Sequence, residues 1–212
     1  MIGKITEVKT QIKSKERVSI FIDGAYRFSV HMDVLIDYGL SVGSEITEEL
    51  LEQIQSKDEL KKAYAKGIDI VSRRLHTEKE IRDKLKLKEY APLTIEKTIE
   101  KLKEYGYVDD EVFLEHYLSF KGSSQGPRKL KYDLIKKGVA EYLIDQALEG
   151  LKDDEYSMCL EIATSKLSSM SDGLEMSKKY SRLAGFLQRK GYGFGVVKEV
   201  LRDLGLKPYD ER

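Results

Sequence analysis

Three histidines, His31, His76 and His116, one cysteine, Cys159, and the adjacent carboxylates Asp109 and Asp110 are the side chains of this sequence most suited to chemistry. Acid–base or metal-assisted catalysis needs such groups to converge, and the histidines fall in no HExxH or equivalent ligand spacing. They read as structural or solvated. Asp109 and Asp110 stand at a helix start and point in different directions, so a helix cap is expected of them rather than a cation site. Cys159 alone can make neither an internal disulfide nor a structural zinc site, and it reads as a small core residue. No catalytic, cofactor or metal residue is assigned, no cofactor is expected, and enzyme activity is not expected.

The segment KGSSQGPRK, residues 121–129, has the glycines and cations of a phosphate-cradling loop but not its mechanics. Its glycines are one residue too close, no Lys-Ser/Thr pair follows, and Pro127 removes a backbone donor that a phosphate would require. A flexible element beside a basic helix is expected there instead.

The charge is more informative in its placement than in its sum. Thirty-seven basic and thirty-seven acidic residues cancel, yet residues 121–137 hold Lys121, Arg128, Lys129, Lys131, Lys136 and Lys137 against Asp133 alone, after Asp109, Asp110, Glu111 and Glu115. A uniformly basic nucleic-acid binder is not indicated; a protein with basic and acidic faces is. Lys88, Lys137 and Lys190 recur at one position of an internal repeat, with Lys136 and Arg189 one position earlier in two copies. A cation in the last turn of a helix complements the dipole by roughly 0.3–1 kcal/mol, which is one reading. The other is a stripe in which these cations join Arg128, Lys129 and Arg182, extended by Arg73 and Arg74, to face an acidic partner or phosphates.

The repeat that positions these residues has six apolar places, the later five lying 4, 9, 14, 18 and 21 residues after the first. They are Ile81, Leu85, Tyr90, Ile95, Ile99 and Leu102; Leu130, Leu134, Val139, Ile144, Leu148 and Leu151; and Leu183, Leu187, Tyr192, Val197, Leu201 and Leu204. Apolar residues at i and i+4, a break, then i, i+4 and i+7 describe two short amphipathic helices joined by a tight turn. Gly138 and Gly191 occupy that turn, where a left-handed residue ends a helix without a Cβ penalty; Glu89 holds the place in the first copy.

The elements follow. RVSIFIDGAYRFSV is a hairpin about Asp23-Gly24, Ile5–Ile12 adds a strand, and a helix opens near Thr47. Residues 1–55 read as a small β-hairpin domain with a short helix. Repeat 1 covers 56–108, with a helix from Asp58 to Leu75, a second opened by the capping-box pair Thr77 and Glu80, and a third from Pro92 to Tyr105. Repeat 2 covers 109–152, with Pro127 at a first helical position, and repeat 3 covers 153–212. The expected fold is mainly α: three tandem three-helix repeats forming an elongated, curved array behind the β domain. With no long apolar run or secretory signal, the chain is expected to be cytoplasmic and to leave membranes alone.

RRLHTEKEIRDKLKLKEY (73–90), GYVDDEVFLEHYLSFK (106–121), QGPRKLKYDLIKKGV (125–139) and SRLAGFLQRKGY (181–192) together resemble the RecX family, bacterial regulators of the RecA recombinase. The resemblance covers about residues 58–206, and the β-hairpin start is similar to the longer Gram-positive-type members. Lys121 stands where an arginine is common, and Glu89 where the turn residue is glycine-like. The resemblance implies tandem three-helix repeats, no cofactor and no catalysis. It implies a protein that binds the groove of RecA filaments on DNA and reduces ATP hydrolysis, strand exchange and filament growth in recombination and repair. Single- and double-stranded DNA are expected as weaker partners, and the chain as a monomer. The candidate partner-contacting residues are Arg73, Arg74, Lys88, Lys121, Arg128, Lys129, Lys131, Lys136, Lys137, Arg182, Arg189 and Lys190. Reversing Arg128, Lys129 and Lys137 to Glu is expected to abolish inhibition with the fold intact. The competing reading is a stand-alone DNA-binding helical repeat module, against which the neutral net charge argues.

Overall fold

The computed structural model describes residues 2–12, 14–150 and 154–208. The chain forms two compact units. One comprises the chain to His76 with Ile81–Val108, and the other comprises Thr77–Glu80 with the chain from Asp109 onward.

The first unit begins with strands β1 (Gly3–Thr10), β2 (Arg17–Ile22) and β3 (Ala25–His31), and β4 (Glu45–Ile46) pairs antiparallel with β1, giving the order β3-β2-β1-β4. Alternation sets the buried face: Val18, Ile20 and Ile22 of β2 point into the core while their neighbours do not. The hairpin turn is Asp23-Gly24 as expected, with both residues at positive φ (50° and 83°), the pattern of a type I′ turn matched to strand twist. Ile5, Phe28, Val30, Val34 and Ile46 complete this core with Ile54. Val34 lies on the short helix α1 (Met32–Asp37).

Ile54 belongs to α2 (Glu48–Val71), which Thr47 caps by accepting the Leu50 amide at 3.1 Å. The helix opening near Thr47 and the helix expected from Asp58 to Leu75 are therefore one helix of 24 residues, ending at Val71. Nothing between Thr47 and Gly67 breaks it: no glycine or proline intervenes, and Asp58 serves tertiary partners rather than a cap. Residues 55 and 56, read as a domain junction, are consecutive within it. Its second half packs on α4 (Pro92–Glu104), where Gly67 permits the approach, since a Cβ there would stand 2.8 Å from Leu102 Cδ1. Ile70, Ile81, Leu85, Ile95, Ile99, Leu102 and Val108 form the second core of this unit, with Tyr90 packed against it. Ile81 and Leu85 lie on α3 (Glu78–Lys86).

The second unit contains α5 (Asp110–Lys121), α6 (Pro127–Lys137), α7 (Glu141–Glu149), α8 (Glu155–Ser168), α9 (Met176–Lys190) and α10 (Phe194–Asp203). Leu130, Leu134, Val139, Ile144 and Leu148 make one core with Phe113 and Leu114. Leu183, Leu187, Tyr192, Val197 and Leu201 make another with Cys159 and Ala163, and Leu204 packs at its margin. Thus the repeat's apolar positions are the cores of three three-helix domains. Leu151, and the start of repeat 3 at Asp153, lie outside the described residues.

Gly138 and Gly191 end α6 and α9 at φ 92° and 96°. Each closes the same pair of bonds: Gly138 and Val139 donate to Ile135 and Leu134, and Gly191 and Tyr192 to Gln188 and Leu187. Glu89 makes the equivalent turn at φ 60°, as an L-residue in left-handed backbone.

Candidate partner-binding surface

The turn of one repeat receives the first helical turn of the repeat before it, and this joint occurs twice in the second unit. In one joint, the Thr77 hydroxyl donates to the Lys137 carbonyl at 2.6 Å and accepts the Glu80 amide at 3.2 Å. In the other, the Gly126 amide donates to the Lys190 carbonyl at 2.7 Å and the Arg128 amide to the Gly191 carbonyl at 3.1 Å. Thr77 and Gly126 are 49 residues apart and Lys137 and Lys190 are 53 apart, matching the sequence displacements. In the second joint amides at a helix N-terminus donate to carbonyls of a C-terminal turn, and in the first the Thr77 hydroxyl donates to the carbonyl instead. Asp109 caps α5 by accepting the Glu111 and Val112 amides, while its neighbour Asp110 accepts the Glu78 amide at 2.9 Å. Both aspartates are helix caps, one for its own helix and one for this joint.

The joints account for two members of the expected cationic stripe. Lys137 Nζ donates to Glu80 Oε1 at 2.6 Å and lies over the rings of Phe113 and Tyr117, with a side chain 28% exposed. Lys190 Nζ donates to the Ser124 carbonyl at 3.1 Å and lies over Phe186. Both make contacts within the fold, and a glutamate at Lys137 would face Glu80 in a half-buried site. The 121–129 loop is likewise not a loose element. A 3-10 turn, Gly122–Ser124, and Gly126 are tied to the end of α9, and a Cβ on Gly126 would stand 2.5 Å from the Gly191 carbonyl carbon.

The remaining candidates divide by partner. Lys131 is bound to Glu141 and Asp145, which hold its ammonium above the usual lysine range chiefly through the Asp145 hydrogen bond. Lys129 meets Asp133 at 3.4 Å, and Arg73 meets Asp69 at 2.9 Å. Arg74 donates to the Leu75 carbonyl. The side chains of Lys88, Lys121, Arg128, Lys136, Arg182 and Arg189 are exposed and have no hydrogen-bonding or ionic partner among the described residues. Lys88 lies in the first unit and the other five in the second.

The other chemistry-bearing groups make contacts within the fold. His31 Nδ1 caps α1 by accepting the Asp33 amide, His76 is buried with Nδ1 at 2.9 Å from the Arg74 carbonyl, and His116 packs on Phe120. Burial pushes the Cys159 thiol up to about 12, so it is a neutral core group. No group of three or more His, Cys, Asp or Glu among the described residues could hold a metal ion. No described helix is long and apolar enough to cross a membrane. Sequence reasoning missed Asp58, which accepts from Arg17, Lys62 and the His31 amide and fixes the sheet to α2. The sequence reading put Asp58 at a helix start, whereas it lies well inside α2 on its buried side.

A β domain followed by three-helix domains in tandem defines a tandem three-helix repeat protein. Known proteins of this build agree across the whole chain. Residues 3–47 match the regulatory protein RecX N-terminal domain, and residues 63–112, 109–148 and 153–201 match the first, second and third RecX three-helix domains. The regulatory protein RecX of Clostridium botulinum (strain Eklund 17B / Type B) is 34% identical over 212 residues, covering 99% of this chain and 100% of the relative. That of Bacillus velezensis is 35% identical over 98% of this chain and 80% of its own length. A crystal structure of regulatory protein RecX superposes with a TM-score of 0.70 at 26% identity, over 94% of this chain and 98% of that one. RecX from Lactobacillus salivarius shares the fold, with a TM-score of 0.61 over 71% of this chain and 99% of its own. The chain belongs to the RecX family of regulatory proteins.

Proposed function

We propose that this chain regulates the RecA recombinase by binding in the groove of RecA filaments assembled on DNA, lowering ATP hydrolysis, strand exchange and filament growth. Family membership across all four domains carries the reading. Its contact residues are drawn from Lys88, Lys121, Arg128, Lys136, Arg182 and Arg189, whose charges have no partner among the described residues, with Arg73, Arg74, Lys129 and Lys131 at the margin. Repeats that each make a modest contact on a lattice of identical protomers add through effective concentration, so no single large interface is required. The partner is met by a monomer of this chain in the cytoplasm, without a cofactor and without catalysis by the chain itself.

Co-sedimentation with RecA filaments on single-stranded DNA, held by a non-hydrolysable ATP analogue, tests the reading. Binding is expected to the filament and not to RecA free of DNA. Tighter binding to naked DNA than to filament, with a steep salt dependence, would instead make this a stand-alone DNA-binding module.

A further inference from the structure

The two edges of the β-sheet end differently. On the β3 side the fold's own groups take two outward backbone positions: the His31 amide donates to Asp58 Oδ1 at 2.7 Å, and the Ser29 carbonyl accepts Arg17 Nη2 at 2.8 Å. On the β1 side the cover is partial. The Ile2 amide donates to the Ile46 carbonyl at 2.8 Å, the Ile5 amide to the Ser44 carbonyl at 2.9 Å and the Gly43 amide to the Ile5 carbonyl at 2.8 Å, and the pairing with β4 goes no further along β1. The rest of that edge is a template for another strand.

The uncovered stretch is Thr6–Thr10. Val8 pairs with Ile20, Lys9 with Ser19 and Thr10 with Val18, and the Gln11 amide donates to the Arg17 carbonyl at 2.9 Å. In the alternating antiparallel ladder Glu7 and Lys9 therefore turn their N–H and C=O groups to β2. Those of Val8 and Thr10 point away from it and have no hydrogen-bonding partner among the described residues. A shift of register at Thr6 bounds the stretch at one end, and a bend at the exposed Ile12 bounds it at the other. Val8 packs against the core, while the side chains of Glu7 and Lys9, 46% and 60% exposed, meet at 2.9 Å on the opposite face.

We propose that this edge pairs with the same edge of a second copy of the chain, antiparallel and two-fold symmetric about Val8. The sequence Thr6-Glu7-Val8-Lys9-Thr10 is its own complement under that operation. Val8 exchanges both backbone hydrogen bonds with the partner's Val8, Glu7 stands opposite the partner's Lys9, Lys9 opposite the partner's Glu7, and threonine opposite threonine at each end. A lysine on an edge discourages pairing with strands at large, whereas a second copy brings a carboxylate to each ammonium. Five residues of edge bury far less than the about 1,200 Å² of a stable complex, so free chains remain monomers at ordinary concentrations. Chains held close on a common lattice, as in the filament reading, meet at effective concentrations on the order of millimolar and are joined by this contact.

Sedimentation equilibrium of the full chain at up to about 1 mM, without RecA, tests the pairing. The wild type is expected to show a reversible monomer–dimer equilibrium. Glu7→Lys and Lys9→Glu each set like charges opposite one another on both sides of the two-fold axis, and each is expected to weaken association about tenfold, with far-ultraviolet circular dichroism unchanged. An equimolar mixture of the two variants restores opposite charges at both places and is expected to recover wild-type association as a heterodimer. The chain carrying both substitutions is self-complementary again and is expected to pair as the wild type does. A wild type that stays monomeric throughout, self-association that survives in both single variants, or a mixture that fails to pair would overturn the assignment. Because RecA is absent, failure of the pairing leaves the regulator standing, and failure of the regulator leaves the pairing.

Discussion

Gly191 and Lys129 touch backbone to side-chain root: the Cβ that Gly191 lacks would stand 2.4 Å from the Cβ of Lys129 and 2.5 Å from its amide nitrogen. Gly138 repeats the contact against Lys79, again at 2.4 Å. Two glycines whose spacing assigns them to helix termination therefore serve a second end, allowing the first turn of one helix to seat on the last turn of another. Gly191→Ala is expected to destabilise the second unit by about 2–4 kcal/mol, from left-handed backbone and overpacking together. Urea unfolding reads this directly; a change under about 1 kcal/mol would show that the joint gives way easily.

Glu89 marks the place where this requirement lapses. It adopts the left-handed turn at φ 60° with a full side chain and is exposed. Relieving the backbone there is expected to offset the added chain entropy, so Glu89→Gly should leave stability unchanged or raise it by up to about 1 kcal/mol. A loss above about 1 kcal/mol in thermal unfolding would assign the Glu89 side chain a structural contact.

Acid sensitivity is expected to begin in the first unit. Burial by itself pushes the Asp58 carboxyl up, but hydrogen bonds from Arg17, Lys62 and the His31 amide outweigh it and hold the group below the usual carboxylate range. A depressed folded value means stability that is present in full above the ordinary aspartate range and is lost as pH falls through the folded value. Asp58→Asn removes one partner of a pair whose side chains are 4% and 18% exposed, and is expected to cost about 3–5 kcal/mol at neutral pH. The variant should also flatten the acid limb of the stability–pH curve. An unaltered limb would place the sensitivity elsewhere.

Lys136 and Lys137 are neighbours with opposite duties. Lys137 is committed to Glu80, Phe113 and Tyr117, whereas Lys136 is exposed and unpartnered among the described residues. Lys137→Glu is expected to lower the melting temperature by several degrees, corresponding to about 2 kcal/mol or more. Lys136→Glu should leave melting unchanged and weaken filament inhibition. The reverse pattern would exchange their roles.

The fold was legible in the sequence where its physics is local and periodic. The repeat's spacing named the buried faces, Asp23-Gly24 the hairpin, Thr77 and Asp109 the helix starts, and Gly138 and Gly191 the helix ends. Spacing carries less about what two elements do to each other. The continuity of α2 was hidden because its first half serves the sheet through Ile54 and its second half the helices through Ile70, so its apolar stripe changes partner midway. The stripe of cations was visible as composition, but its division into joint-forming and unused members depends on contacts 57 and 66 residues apart, Lys137 to Glu80 and Lys190 to Ser124.

The central claim is regulation of a recombinase, and ATP hydrolysis by RecA filaments on single-stranded DNA, followed while this chain is titrated in, tests it most directly. Inhibition well below one copy per RecA protomer is the expected result, since contacts on a shared lattice act beyond the protomers they touch. Hydrolysis unchanged at stoichiometric excess, with RecA from the same source, would contradict the account.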